Sequence, residues 1–255
     1  MSSRPDHRPI PSPTRTRDLY LASAFLPAVP AAASIVVALE PGSWTSLSES
    51  LVRGATPEAL LYSAACVVVA APLAGVVVAS HRRGTRVGWR DAARLGVAAL
   101  VFCAVSALLT VSRLGISGET LRFVATSHAV LASVTIALGA MGALCGSLFR
   151  DALDAAACSL LLSATAAYGV LVAGASVAEI PPAVLRMALM ASPVMSFASA
   201  AQLDIVHTDI WYQISPLAHI QVEYPTWIAA CGTYLLAGCA GLLGTAWLSG
   251  RRAGS

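Results

Sequence analysis

The chain has 255 residues and a formal net charge of +3, with 57% of its residues in the AVILMFWYC set, 11% charged and a mean hydropathy of +0.73. A soluble globular chain carries about 25% charged residues, because it must cover its surface with them. Less than half that supply predicts a surface that faces lipid, hence an integral membrane protein. All 16 basic residues are arginine, and neither lysine nor asparagine occurs. A phosphate-binding loop of the G-x-x-x-x-G-K-[ST] kind is therefore excluded, as are lysine Schiff-base chemistry and N-glycosylation. The arginine-only, alanine-rich bias fits a GC-rich coding sequence.

A membrane-crossing helix needs about 20 mostly apolar residues, so charged residues mark where spans end. A leader of residues 1–17, rich in proline, serine and arginine, reads as disordered or lying on the membrane surface. Its arginines and the small residues Ala31, Ala32 and Ala33 resemble a signal peptide, but the apolar run continues to Leu39 and Pro27 and Pro30 interrupt it. From Asp18 onward the uncharged stretches are 19–39, 59–80, 95–112, 123–149, 155–178 and 224–250. These predict an all-α polytopic fold of six transmembrane helices in one domain, 18–255.

A further stretch, 184–201, follows Pro181 and Pro182, is broken by Pro193 and carries Ser192, Ser196 and Ser199. It reads as a re-entrant or interfacial part of an outer segment spanning about 180–225, with a seventh crossing as the alternative. Cytoplasmic loops collect arginine. Six spans with an inside N-terminus put twelve of the sixteen arginines inside, whereas a seventh would move Arg251 and Arg252 outside. The expected location is a cell membrane, of the bacterial inner-membrane kind, with both termini cytoplasmic.

Candidate chemistry is sparse. The six cysteines lie in spans without C-x-x-C spacing and read as small apolar packing residues. His128 is the one histidine inside a span. It reads as neutral and hydrogen-bonded to a neighbouring helix, although an ionisable group at membrane depth is a functional candidate by default. Asp204, His207 and Asp209, with His219 and Glu223 further on, have metal-compatible side chains but no recognisable ligand spacing. Trp211, Tyr212, Tyr224 and Trp227 beside them read as an interfacial belt. A metal-dependent membrane enzyme built there would hold a divalent ion. No cofactor and no nucleic-acid partner is expected.

Serine–histidine or paired-carboxylate catalysis would need polar residues on several facing spans. The span interiors hold no acid and no G-x-S-x-G occurs, which argues against an intramembrane hydrolase. Missing buried acids also argue against a proton-coupled carrier. Gly139, Gly142 and Gly146, and Gly232, Gly238, Gly241 and Gly244, predict close helix contacts.

The inner loop from His81 to Asp91, short and very basic, and the stretch Gly146 to Ala156, where Arg150 ends one span and small residues open the next, carry a resemblance. Together with six spans and the proline-bearing outer segment 181–225, they are similar to ABC-transporter permeases of the type-2 exporter class. That resemblance implies a permease subunit of an ATP-driven exporter, not itself an enzyme. Its implied partners are a separate ATP-binding subunit, a second permease subunit in a homo- or heterodimer, and membrane lipids. It assigns ATPase coupling to Arg82, Arg83, Arg86, Trp89 and Arg90, with Arg150 and Asp151 on the second inner turn. Arg15, Arg17 and Asp18 would belong to an N-terminal surface helix. The alternative is a non-transporting membrane anchor or assembly subunit of another complex.

Overall fold

A computed structural model describes residues 64, 67–80, 89–114, 116–172, 181–202 and 224–252. The leader, the expected span 19–39, the loop 81–88 and the segment 203–223 lie outside the described residues. Among the described residues every regular element is helical. They are α1 (Val67–Ser80), α2 (Trp89–Leu114), α3 (Gly118–Leu148), α4 (Ala152–Val172), α5 (Pro182–Ala191), α6 (Pro193–Ala200) and α7 (Trp227–Arg252).

Local chemistry sets the helix ends. Ser117 caps α3, its hydroxyl accepting the Thr120 N–H at 3.1 Å, and Glu119 sits in the positive first turn. Asp151 serves α4 in the same way, Oδ1 accepting the Leu153 N–H at 2.9 Å. α2 opens at Trp89, immediately after Gly88.

α3 is the central helix, buried along most of its length, and glycine lets its neighbours approach to backbone contact. A Cβ on Gly142 would run into the Pro72 carbonyl of α1, and one on Gly146, a turn further along α3, would lie 2.9 Å from Ala79, two turns further along α1. On the other side, a Cβ on Gly238 of α7 would lie 3.1 Å from Ile136, one on Gly241 3.1 Å from Ala140, and one on Gly244 3.2 Å from Leu144. Both sets of contacts advance together along the chain, so α1 and α7 run parallel to α3. Gly232 meets nothing within 4 Å, so it departs from the close contact expected of it.

α2 and α4 flank α3 through short turns and run the other way. Val130, Leu131 and Val134 of α3 pack with Leu189 of α5 and Met195 and Phe197 of α6 in the main core. α5 and α6 break at Ser192, where Pro193 supplies no N–H to continue the ladder, and the two helices bend by 85°. Ser192 holds the break: its hydroxyl donates to Ala167 of α4 at 2.7 Å and accepts the Met195 N–H at 3.4 Å. Gln202, with φ of +55°, ends α6 in the left-handed region.

Three helical stretches, Gly118–Leu148, Ala152–Gly169 and Trp227–Arg251, are long and apolar enough to cross a membrane, and the bent α5–α6 pair passes the same test jointly. Large apolar side chains point outward from the bundle, among them Leu100, Val105 and Leu108 on α2, Leu161 on α4, and Leu236 and Leu243 on α7.

Candidate functional site

Most polar side chains in the bundle are occupied by helix backbone. Ser163 donates to the Val68 carbonyl, Ser196 to Met190 and Ser199 to Pro225, each hydroxyl satisfied by a backbone carbonyl. The pair formed by Ser106 and His128 differs, because it joins two side chains across two helices.

The α2–α3 turn places them opposite one another. Ser106 lies eight residues before Leu114, the end of α2, and His128 ten residues after Gly118, the start of α3. In an antiparallel helical hairpin those positions share a level. The His128 Nε2–Ser106 Oγ distance is 3.1 Å, and Nδ1 lies 2.8 Å from the Val124 carbonyl oxygen. A carbonyl can only accept, so Nδ1 carries the proton and Nε2 of the neutral ring presents its lone pair. The Ser106 hydroxyl therefore donates to Nε2.

That arrangement is the starting geometry for a serine activated by an imidazole base. His128 is 7% exposed and Ser106 half-buried, so the base is sheltered while the hydroxyl keeps an accessible edge. Around them, Thr110 donates to the Ser106 carbonyl at 2.8 Å and Ser127 to the Phe123 carbonyl at 2.7 Å. The exposed carboxylates Glu119, Asp151 and Asp154 sit at helix starts, away from the pair, and the Val124 carbonyl occupies the orienting position.

The residues given a coupling role do not come together in this site. Arg82, Arg83 and Arg86 lie outside the described residues, Trp89 and Arg90 open α2, and Arg150 and Asp151 form the exposed α3–α4 turn. Asp204, His207, Asp209, His219 and Glu223 also lie outside the described residues, among which no group of three or more metal-ligating side chains occurs. Cys103 and Cys145 are buried free thiols, and Cys158, Cys231 and Cys239 are free as well.

His128 was legible from its depth, whereas the sequence alone did not single out Ser106. The signal was the turn itself: residues 106 and 128 are equidistant from Ser117, so an antiparallel hairpin pairs them.

A family model described as an alpha/beta hydrolase matches residues 124–228, a stretch that contains His128 but not Ser106. No curated protein and no solved structure matches the chain. The hydrolase match overturns the resemblance to type-2 ABC-transporter permeases, and with it the exporter function and the expectation that the chain is not an enzyme. Nothing specific supports the anchor alternative either. An intramembrane hydrolase was not expected without polar residues on several facing spans and a buried acid, whereas a serine and a histidine on two adjacent helices make the contact directly. The matched stretch contains no G-x-S-x-G, and every regular element among its described residues is helical.

Proposed function

We propose that this chain is a multi-pass membrane hydrolase in which Ser106 attacks an ester or amide carbonyl and His128 is its base. The observation that carries the reading is the hydroxyl-to-Nε2 contact of 3.1 Å, with the ring tautomer fixed from behind by the Val124 carbonyl. The hydrolase family match supports the reaction class.

In the first step Oγ bonds to the substrate carbonyl carbon as its proton passes to Nε2. The imidazolium then gives that proton to the departing alcohol or amine, leaving an acyl group on Ser106. Water, deprotonated by the same nitrogen, releases the acid and restores the serine. A neutral carbonyl holds the tautomer but adds no negative charge beside the imidazolium. Loss of that charge in a complete triad costs about 10⁴ in rate, so this dyad is a slow catalyst.

Six membrane spans with both termini cytoplasmic form the setting. The outward ring of large apolar side chains supports a lipid-facing surface, since soluble monomers rarely expose such contiguous patches. The parallel run of α1, α3 and α7 supports the alternation that assigns them to the second, fourth and sixth spans.

The test is hydrolysis of chromogenic esters by the purified full-length chain in detergent. Wild-type protein is expected to turn over, and Ser106→Ala to lose activity by at least about 10³-fold. Equal rates for the two proteins would remove Ser106 from the reaction.

A further inference from the structure

We infer that the substrate of the Ser106–His128 pair is a neutral lipid ester, with a long acyl chain and no charged headgroup, which reaches the pair from within the bilayer. The inference rests on the hydrolase reading above and names its substrate class. Its basis is depth. The midpoint of α2 (Trp89–Leu114) falls between Val101 and Phe102, and that of α3 (Gly118–Leu148) at Ser133. Ser106 and His128 each lie toward the outer end from those midpoints, by about 7 Å at a rise of 1.5 Å per residue. The hydrocarbon core extends roughly 15 Å to either side of its mid-plane. With each helix centred on the bilayer, the hydroxyl and the imidazole meet about 8 Å inside the outer boundary of that core. The two helices agree on this depth, as they must for side chains in contact.

The chain offers a charged ligand no partner at that level. From Phe102 to Thr110 on α2 and from Val124 to Ala132 on α3, a turn to either side of the pair, no residue is charged. Toward the outer surface the first charged residues are Arg113 and Arg122, about 10 Å and 9 Å along their helices. Val101, Val105 and Leu108, which bracket Ser106 in α2, are all exposed, so this layer of the surface is aliphatic. The neighbouring hydroxyls are committed, Thr110 to the Ser106 carbonyl and Ser127 to the Phe123 carbonyl.

Three kinds of ester separate on these grounds. A small water-soluble ester loses its hydration on entering the layer and has little apolar surface to offset the loss. A phospholipid keeps its phosphate in the headgroup region, which tethers its ester carbonyls near the boundary. Bringing one of them to Ser106 would draw the charge into hydrocarbon. A long-chain ester without a charged headgroup meets neither obstacle. It is already dissolved in the layer where Oγ sits, and its carbonyl can move to that depth while the chain lies along the aliphatic surface.

The experiment reconstitutes the full-length chain in dioleoylphosphatidylcholine vesicles and measures release of acid from methyl oleate, from methyl acetate and from the phosphatidylcholine itself. The expected result is that methyl oleate is hydrolysed with a kcat/KM at least about tenfold above either of the others, and that Ser106→Ala removes this activity. Phosphatidylcholine or methyl acetate hydrolysed as fast as methyl oleate, with Ser106 still required, would overturn the substrate class and leave the hydrolase reading standing. No turnover of any of the three esters, together with a Ser106 that a small fluorophosphonate leaves unmodified, would overturn the hydrolase reading and the substrate class with it.

Discussion

At the scale of single residues, what makes Ser106 more than a helix serine is the direction of its hydrogen bond. A hydroxyl in an apolar helix ordinarily returns to a carbonyl one turn back, as Ser127 and Thr135 do here. Ser106 contacts His128 instead, and the Val124 carbonyl decides which ring nitrogen receives it. Two groups acting as a unit should show non-additive losses. Ser106→Ala and His128→Ala are each expected to abolish most ester hydrolysis, and the double variant to fall little further, as read from a double-mutant cycle on kcat/KM. Additive losses would mean that the two side chains act separately. Asp151 supplies a contrast: Asp151→Ala removes the α4 cap and should cost about 1 kcal/mol in detergent thermal unfolding while leaving hydrolysis unchanged.

Among elements, the break between α5 and α6 and the glycine contacts of α3 were the most legible features. Pro193 marks the interruption because it has no N–H to give, and Ser192 beside it has the residue type of a helix cap. The 85° bend and the hydroxyl bond to Ala167 were not legible, since both depend on where α4 packs. Ser192→Ala would leave the Ala167 carbonyl unsatisfied by it and α6 uncapped. A loss of about 1–3 kcal/mol is expected in the thermal unfolding of the detergent-solubilised chain. Gly142→Val forces side-chain atoms against the Pro72 backbone and should cost about 1–3 kcal/mol by the same measurement. Gly232→Ala, in open space, should be close to neutral. Nothing in the sequence distinguished Gly232 from Gly238, because the rotation of α7 against α3 is a tertiary fact.

For the molecule as a whole, composition and arginine placement gave the expected spans and their orientation, and they also produced the misreading of function. Six expected spans, a basic inner loop and a proline-broken outer segment describe an expected architecture, and architectures host unrelated chemistries. The permease resemblance rested on that arrangement, with no side-chain contact to anchor it. The site was hidden because it requires two residues 22 positions apart to meet across a helical hairpin. Orientation itself is testable. Ile116, 83% exposed at the α2–α3 turn, and Asp151 at the α3–α4 turn lie at opposite ends of α3. In intact cells an impermeant maleimide should label Ile116→Cys above the native cysteine background and spare Asp151→Cys until the membrane is opened.

The most direct test of the hydrolase reading is covalent capture of the nucleophile. Full-length protein in detergent would be treated with a fluorophosphonate, digested, and the adduct located by mass spectrometry. The expected result is a single modification on Ser106, lost in Ser106→Ala and strongly reduced in His128→Ala. An unmodified Ser106 in a preparation that still hydrolyses esters, or an adduct on another residue, would contradict the assignment.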